Sequence, residues 1–355
     1  MYRKLFKNFI LVILLSFLVF SCVDESETQK CKSSEVLMDN TCVDKALLCG
    51  DVLCSDNEVC KDNTCMDKTL FCGDVLCSGH EICEENVCKK ILVFSTYNLY
   101  DLKNRDAYRN LAKFIKEKNI SLMVSQEIQT QDKEPLLKEL NALGVDADIQ
   151  FSTYGGFGGD EGNDYLAVIS LWPIDEVNTI LNGRYQDPVS QSYYNFSNMR
   201  PVLEIKLKVF DKPLTVFNLH LKAQSPWPVC DDCIKKRRAQ AHALEEYIID
   251  NYNPVSDEII IAGDANTATQ TDEDFKEGST LDILTLKTDD IDENDFLSVN
   301  YEYKREATHT RYPSIMDHII LSPELLKRYV DGSIDIITPS GTPSDHKALL
   351  LKLTY

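Results

Sequence analysis

The chain has 355 residues, 43% of them hydrophobic, so it can bury a sizeable core, and its length suggests about two structural units. Its formal net charge of -20 argues against a protein that binds a polyanion through a broad basic face. Eleven of the 13 cysteines lie in the first 88 residues, and the other two are Cys230 and Cys233. The cysteine distribution therefore separates an N-terminal region from the rest of the chain.

Residues 1–22 have the pattern of a secretory signal peptide. Basic residues precede an apolar run over residues 9–20, which is too short for a comfortable membrane span. The run leads into Ser21-Cys22, which resembles the lipobox of bacterial lipoproteins, although Phe20 is bulkier than that pattern usually carries. The resemblance implies an exported protein, lipidated at Cys22 and anchored through that lipid to the membrane of the cell envelope or surface. The alternative is an ordinary signal peptide with a chance cysteine.

Residues 23–90 form a cysteine-rich repeat. The segment Cys49-Gly-Asp-Val-Leu-Cys54 returns as Cys72-Gly-Asp-Val-Leu-Cys77, and further cysteines follow each copy at equal distances. Ten cysteines with few large apolar residues, behind a signal peptide, predict small units held by disulfides rather than by a core. The spacings do not match zinc modules. We interpret this region as a rigid acidic stalk or an adhesion module, with the disulfide pairing left open.

From residue 91 onward, the pattern changes to an alternation of strands and helices. Periodicity predicts helices over residues 106–118, 134–143 and 235–250. The predicted strands cover residues 91–97, 122–125, 165–170, 202–209, 214–220 and 259–262, and others lie near residues 149, 319, 336 and 349. This alternation alone is compatible with either a doubly wound sheet or a sandwich of two sheets.

Four further segments admit simple interpretations. The glycine-rich loop over residues 154–163 does not join a strand to a helix as a dinucleotide fingerprint requires. Cys230 and Cys233 are expected to form a structural disulfide, and residues 272–295, rich in acids, are expected to be a solvated loop. The basic cluster at residues 235–238 is the one concentration of cations after residue 90, and if it borders the site through the loop after His220, it is expected to carry much of the salt dependence of nucleic-acid binding.

Polar residues suited to catalysis follow or interrupt the predicted strands. Each is a metal ligand, a proton carrier or a hydrogen-bonding amide, and together they suit a hard divalent cation and a polar substrate. A single histidine or aspartate at such a place is usually structural, but a regular series of them indicates a catalytic centre. The series is Asn98, Glu127, His220, Asp264 with Asn266, Asp317, and Asp345 with His346.

The motifs around these residues resemble, in order, those of the endonuclease/exonuclease/phosphatase superfamily over about residues 91 to 355. They are Thr96-Tyr-Asn98-Leu, Gln126-Glu127, Asn218-Leu-His220, Gly263-Asp264-Ala-Asn266, Met316-Asp317-His-Ile and Ser344-Asp345-His346. Tyr165 and Arg200 are similar to positions of the deoxyribonuclease branch. The chain departs from the pattern at Ala265, where phenylalanine is commoner, and at His318, where arginine or tyrosine is found.

The resemblance implies an α+β fold, a four-layer α/β/β/α sandwich of two mixed sheets. It also implies that Glu127, Asn98 and Asp345 hold Mg²⁺ or Mn²⁺, while Asp264 and Asn266 orient water and phosphate. His346, paired with Asp345 or another carboxylate, would be the general base. The resemblance also implies that His220 assists the developing charge and that Asp317 orients His220. Arg200 and Tyr165 would bind the phosphate. Which histidine is acid and which is base stays open.

The predicted function is a metal-dependent phosphodiester hydrolase, a surface-tethered, deoxyribonuclease-like endonuclease that acts on DNA or RNA. Two alternatives remain. One is a phosphoesterase of the sphingomyelinase or inositol phosphate type, although no aromatic membrane-inserting hairpin is evident and an acidic surface does not attract anionic lipid. The other is a non-catalytic surface adhesion or binding protein, which conflicts with the filled catalytic positions.

Overall fold

The computed structural model describes short strands between residues 35 and 84, and then residues 87–100, 102, 104–155, 164–181, 183–195, 200–223, 231–267, 279–288 and 291–355. The predicted signal peptide, with Cys22, lies outside the described residues. The chain divides into two compact units, Met1–Leu76 and Cys77–Tyr355. Within the described residues, no helix combines the length and the apolar character needed to cross a membrane.

The first unit, in its described part, consists of short antiparallel strand pairs. The pairs are β1 (Glu35–Met38) with β2 (Thr41–Asp44), β3 (Leu48–Cys49) with β4 (Val52–Leu53), β5 (Glu58–Lys61) with β6 (Thr64–Asp67), and β7 (Phe71–Cys72) with β8 (Val75–Leu76). Pairs β3–β4 and β7–β8 have equivalent registers, Cys49 opposite Val52 and Cys72 opposite Val75. The repeated sequence motif is therefore also a repeated backbone unit.

The second unit contains the remaining strands and the helices. Its strands are β9 (Glu81–Glu84), β10 (Val87–Asn98), β11 (Leu122–Ile128), β12 (Asp148–Phe151), β13 (Tyr165–Ser170), β14 (Ile174–Ile180), β15 (Arg184–Gln186), β16 (Tyr193–Asn195), β17 (Val202–Val209), β18 (Lys212–His220), β19 (Ile259–Asp264), β20 (Leu297–Ser298), β21 (Asp317–Leu321), β22 (Asp335–Ile337) and β23 (Ala348–Thr354). Its helices are α1 (Arg105–Glu117), α2 (Lys133–Ala142), α3 (Asp231–Asn251), α4 (Thr280–Leu284), α5 (Val299–Tyr303) and α6 (Pro323–Leu326), with 3₁₀ turns at Thr130–Asp132 and Asp292–Asn294.

Apart from β15 and β16, which pair with each other, these strands form two large mixed sheets. The first has the order β12-β13-β11-β10-β23-β22, with β9 paired to the beginning of β10, and the second has the order β14-β17-β18-β19-β21-β20. The pairs β10–β11 and β18–β19 are parallel, and their neighbours are antiparallel. Strand β10 begins at Val87, inside the stretch that the sequence assigned to the cysteine-rich region. Cys83 and Cys88, which face each other between β9 and β10, are both disulfide-bonded.

Three apolar clusters define the layers. One lies between the two sheets and contains alternate residues of both, such as Phe94 and Val216. A second packs α1 and α2 on the outer face of the first sheet, and a third packs α3 and α4 on the outer face of the second. The α/β/β/α sandwich is thereby confirmed, and the doubly wound alternative is excluded because helices cover only the outer faces.

Two expectations about charged segments were wrong in part. Within the acidic stretch, α4 and the following turn bury Ile283, Leu284 and Leu286 against the second sheet, so this portion belongs to the core. Within the basic cluster, Arg237 and Arg238 are buried rather than exposed. Arg238 forms a two-pronged ion pair with buried Asp187 at 2.7 and 2.8 Å, so its charge is already neutralised. Cys233 is disulfide-bonded, and Cys230 lies outside the described residues.

Candidate active site

Strand alternation brings the predicted polar residues to one end of the gap between the sheets. Successive side chains of a strand point to opposite faces, so residues an even number of positions from a core residue share its face. Phe94 faces the inter-sheet core, and Asn98 follows it on that face. Three more polar residues share a face with a core residue of their own strand. They are His220 with Val216, Asp264 with Ala262, and Asp317 with Ile319. Asp264 and Asp317 are also direct partners in the ladder between β19 and β21.

A buried amide pair joins the sheets directly beneath this site. Gln126 Nε2 donates to Asn218 Oδ1 at 2.7 Å and to Thr96 Oγ1 at 3.2 Å. Asn218 Nδ2 in turn donates to the backbone carbonyls of Ser125 and Ala167. Because buried amides are stable only when hydrogen-bonded, the two sheets are held in a fixed relative position where the site lies. The motifs contained Gln126 and Asn218, but sequence reasoning gave them no role.

The backbone is unusual at the residues that deliver the carboxylates. Glu127 has φ of 51°, where the register between β11 and β13 shifts, and Asn266 also has φ of 51°. Gly263 has φ of 136°, and a Cβ added there would lie 2.0 Å from the carbonyl oxygen of Leu219. Only glycine therefore permits the close approach of β18 and β19 that places His220 beside Asp264.

Glu127, Asp264 and Asn98 form an oxygen-rich group. Asn98 Nδ2 donates to Glu127 Oε1 at 3.1 Å and to Asp264 Oδ2 at 3.2 Å. The ligand atoms of Glu127, His220 and Asp264 lie within 4.8 Å of one another. Among the described residues, no lysine or arginine forms an ion pair with Glu127. Its polar contacts there are the Asn98 amide and the His220 imidazole, so no protein cation neutralises its charge. This donor set fits a hard divalent cation.

Arg200 determines the protonation state of the His220 imidazole. Its Nη1 lies 2.6 Å from His220 Nε2, and its Nη2 donates to Asp164 Oδ2 at 3.1 Å. Since a guanidinium can only donate, Nε2 of His220 accepts. Burial lowers the pKa of His220, Arg200 lowers it further, and Asp264 and Glu127 only partly oppose them. His220 is therefore neutral in this arrangement.

Asp317 fixes the second imidazole. Its Oδ2 lies 2.8 Å from His346 Nδ1, so the carboxylate accepts the Nδ1 proton and Nε2 faces Asp264, 3.7 Å from Oδ2. Burial alone would lower the pKa of His346, but Asp317 and Asp264 outweigh it and raise the pKa to about 10. Burial would raise the pKa of Asp264, yet His346 and His220 hold it well below its usual range. The prediction that Asp317 orients His220 is thus corrected, because Asp317 pairs with His346.

The remaining predicted residues lie around this centre. Asn266 donates its backbone N–H to Asp264 Oδ1 at 2.8 Å and its Nδ2 to the Leu221 carbonyl at 3.2 Å, so it holds Asp264 in place. Tyr165 begins β13 opposite Ile128, next to Glu127. Asp345 is not part of the group around Glu127, because its Oδ2 faces His309 Nε2 at 3.4 Å.

The structure shows the positions of two histidines, His318 and His309, that the sequence did not predict. His318, which departs from the family pattern, points away from the site and is buried between Thr267 Oγ1 at 2.7 Å and Ser298 Oγ at 2.9 Å. This departure from the family pattern therefore lies on the face of β21 opposite Asp317. His309 lies in the loop before β21 and packs edge-on against His346, with ring centroids 4.9 Å apart. It was missed because it follows no strand, so no periodic pattern marked it.

Comparison with known proteins agrees with this architecture. A model of the Endonuclease/Exonuclease/phosphatase family matches residues 95–346. A solved structure of such a family protein from Bacteroides vulgatus is 18% identical, with a TM-score of 0.52, covering 75% of this chain and 99% of its own. The 3' phosphatase NExo from Neisseria, solved with a product DNA hairpin, is 16% identical, with a TM-score of 0.51 and coverage of 74% and 100%. A family protein from Leptotrichia buccalis is 15% identical, with the same TM-score and coverage. The search of curated proteins found no significant match.

Proposed function

The chain belongs to the endonuclease/exonuclease/phosphatase family, whose members hydrolyse phosphoester bonds, and we propose that it is a divalent-metal-dependent phosphodiesterase acting on nucleic acid. One observation carries the proposal: Asp264 Oδ2 lies between two imidazoles, 3.3 Å from His220 Nε2 and 3.7 Å from His346 Nε2, beside the Glu127 carboxylate. Hydrolysis of a phosphoester needs an activated water, a proton for the leaving oxygen and stabilisation of the phosphate charge. This group of side chains supplies all three.

Proton transfer is assigned to His346. Asp317 holds the Nδ1 proton, so His346 exchanges its other proton at Nε2, the atom that faces Asp264. Asp264, kept ionised and fixed by the Asn266 backbone N–H, orients the water for attack at phosphorus. Attack forms the new P–O bond as the ester P–O bond breaks. His346, which carries both ring protons at neutral pH, acts as the general acid rather than the general base and gives its Nε2 proton to the leaving oxygen. The neutral His220 accepts the proton of the attacking water at Nε2.

The phosphate itself is held by neighbouring donors and by the cation. Glu127 and Asp264, with Asn98 between them, would hold Mg²⁺ or Mn²⁺, and Asp345 remains a ligand predicted from the family resemblance. The bound ion would offset the negative charge that builds on the phosphate oxygens. Arg200 donates to the same oxygens once substrate displaces its contact with His220, and the Tyr165 hydroxyl assists from β13.

A nucleic-acid substrate is favoured by a local concentration of cations in an otherwise acidic protein. Lys222 follows the His220 strand and is exposed. Partial desolvation lowers its pKa, and the nearby cations Arg200, Lys236 and Arg237 lower it further. Arg237 is buried and donates to the Lys222 carbonyl at 3.1 Å, so the phosphate contacts are assigned to Lys222, the partly exposed Lys236 and Arg200. The Neisseria relative carries a product DNA hairpin, which agrees with this choice.

Location outside the cell is a separate proposal, based on residues 1–22. Cys22 would carry the lipid that anchors the mature chain, and the cysteine-rich region would hold the enzyme away from the membrane. Cell fractionation with a Cys22→Ser variant tests the anchor: we expect release of the protein from the membrane fraction. Retention of that variant in the membrane fraction would contradict the proposal.

A substrate panel tests the activity directly. The purified full chain is incubated with Mg²⁺ and, separately, plasmid DNA, RNA, sphingomyelin or an inositol phosphate, with His346→Ala as the control for contaminating enzymes. We expect cleavage of DNA or RNA that is lost in the variant. Hydrolysis of sphingomyelin or inositol phosphate alone would overturn the nucleic-acid assignment, and inactivity on the whole panel would favour a binding protein.

A further inference from the structure

The loop before β21 carries a histidine whose hydrogen bonds define its chemistry. His309 is buried, and its Nδ1 accepts two backbone N–H groups, from Arg311 at 3.0 Å and from Tyr312 at 3.2 Å. Backbone N–H groups can only donate, so Nδ1 carries no proton. In the neutral ring the proton therefore resides on Nε2, which faces Asp345 Oδ2 at 3.4 Å.

This tautomer excludes one otherwise attractive interpretation. The ligand atoms of His309, Asp345 and His346 lie within 4.8 Å of one another, as in a histidine–carboxylate metal site. A histidine binds a metal through an unprotonated nitrogen. The lone pair of His309 Nδ1 is already used by two backbone donors, and Nε2 holds the proton. His309 therefore turns an N–H rather than a lone pair towards Asp345, at 3.4 Å, and is not a metal ligand.

The loop and the catalytic segment are connected along their backbones. Thr310 N donates to the Asp345 carbonyl and Lys347 N donates to the Thr308 carbonyl, each at 2.7 Å, so His309 and His346 form a bridge. Thr308 Oγ1 also accepts the backbone N–H of Asp317 at 3.0 Å. The same loop thus holds Asp317, the partner of His346, and places His309 against the other side of the His346 ring.

We propose that His309 is a positioning residue for the hydrolytic reaction: its Nε2–H holds the Asp345 carboxylate, and its ring fixes the edge of the His346 imidazole. The inference rests on the proposed function for its catalytic consequence, but its structural basis does not. Without this contact, only the more distant and exposed Arg311, with Nη1 at 3.9 Å, would face the Asp345 carboxylate, and His346 would lose one of the two groups that fix its plane. Small displacements of a proton-transferring group reduce rate strongly because the reacting atoms must be aligned.

His309→Asn separates the two roles of the ring. Asparagine can accept the Arg311 and Tyr312 N–H groups through its side-chain oxygen, as in an Asx turn, so the loop is retained while the donor to Asp345 is lost. We expect kcat on a nucleic-acid substrate to fall about tenfold or more, which corresponds to about 1.4 kcal/mol, with KM and the unfolding midpoint nearly unchanged. The matched control is His242→Asn on helix α3, which should retain full kcat.

A double-mutant cycle with Asp345→Asn tests the connection. If His309 acts through Asp345, the double variant should be no slower than Asp345→Asn alone. Multiplicative losses, or wild-type kcat in His309→Asn, would overturn the proposal.

A measurement without substrate keeps the inference independent of the proposed activity. Long-range ¹H–¹⁵N correlation on the ¹⁵N-labelled full chain, which has only 6 histidines, reports which ring nitrogen of each is protonated. We expect His309 to show an unprotonated Nδ1 and a protonated Nε2, with the Nε2 signal shifting in Asp345→Asn. A protonated Nδ1, or no shift in that variant, would overturn it even if the enzyme is active. The expected spectrum in a chain inactive on every substrate would instead count against the proposed function alone.

Discussion

The Asp317 carboxylate lies 2.8 Å from Nδ1 of His346, and this pair joins the two sheets of the sandwich. Asp317 begins β21 in the second sheet, whereas His346 lies just before β23 in the first. The proposed dyad therefore forms only when both sheets are packed. Its geometry depends on the amide pair of Gln126 and Asn218 that fixes the sheets beneath it.

Asp317→Asn should remove the acceptor that holds the Nδ1 proton of His346. We expect kcat on a phosphodiester to fall about 10²- to 10⁴-fold, because general acid–base catalysis contributes that much and depends on the correct tautomer. Steady-state kinetics measure the effect, and Asp331→Asn, at an exposed turn, is the matched control. Turnover near the wild-type level would show that the dyad has no catalytic role.

Glu127→Gln should weaken the cation site while retaining the hydrogen bond to Asn98. We expect activity of the wild type to disappear in excess chelator and to return with Mg²⁺ or Mn²⁺. The half-saturating metal concentration should rise at least about tenfold in the variant, since a ligand charge is lost. Metal titration of the rate provides the measurement, with Glu134→Gln on the exposed face of α2 as control. Full activity in chelator would contradict the metal requirement.

Lys222→Ala should weaken binding of nucleic acid without altering the chemistry. Removal of one phosphate contact should reduce the slope of log affinity against log salt by about 1 and raise KM, while kcat on a small phosphodiester stays unchanged. Oligonucleotide binding at several salt concentrations measures the slope. Lys212→Ala, at the opposite end of β18, is the control. An unchanged slope in Lys222→Ala would place this cation outside the binding surface.

Arg238→Ala should affect folding rather than substrate binding. The side chain is buried in a two-pronged pair with Asp187, so its removal leaves a buried, unpaired carboxylate. We expect the free energy of unfolding to fall by about 3–5 kcal/mol. Denaturant unfolding gives this value, and Lys235→Ala is the neighbouring control. A stable Arg238→Ala protein with a raised KM would instead restore the basic cluster to a substrate-binding role.

The buried His318 should make stability fall in mild acid. Burial lowers its pKa to about 4 in the folded state, against an ordinary value of about 6.5, so the unfolded chain binds the extra proton between these values. Stability is retained above about pH 6.5 and is lost as the pH falls towards 4, by on the order of 2–3 kcal/mol. Denaturant unfolding at several pH values should show a shallower acid loss in His318→Gln.

His242 provides a control of opposite sign for that measurement. Its hydrogen bond with Glu245 raises its pKa, so its contribution is complete below about pH 6.5 and is lost as the pH rises through the folded pKa. His242→Gln should leave the acid loss unchanged. An acid loss of equal size in wild type and His318→Gln would show that His318 does not cause it.

The sequence by itself determined the layers and most of the polar residues that meet at the candidate site. The alternation of side chains along a strand and the position where the strand ends can both be recognised from residues that are neighbours in the sequence. A polar residue at an inward position of a strand end, such as His220 or Asp264, could therefore be recognised without knowledge of its neighbours. The ordered motifs then identified the family, and with it the sandwich that alternation alone left undecided.

Only the tertiary structure decided which of these side chains contact one another. Asp317 pairs with His346 because β21 and the segment before β23 come into contact across the two sheets. The spacing of these residues in the sequence does not predict that contact. Arg238 is buried because Asp187, from a distant hairpin, reaches it. His309 joins the site from an irregular loop. Contacts between distant segments depend on how the sheets and loops pack, and local sequence patterns carry no information about that packing.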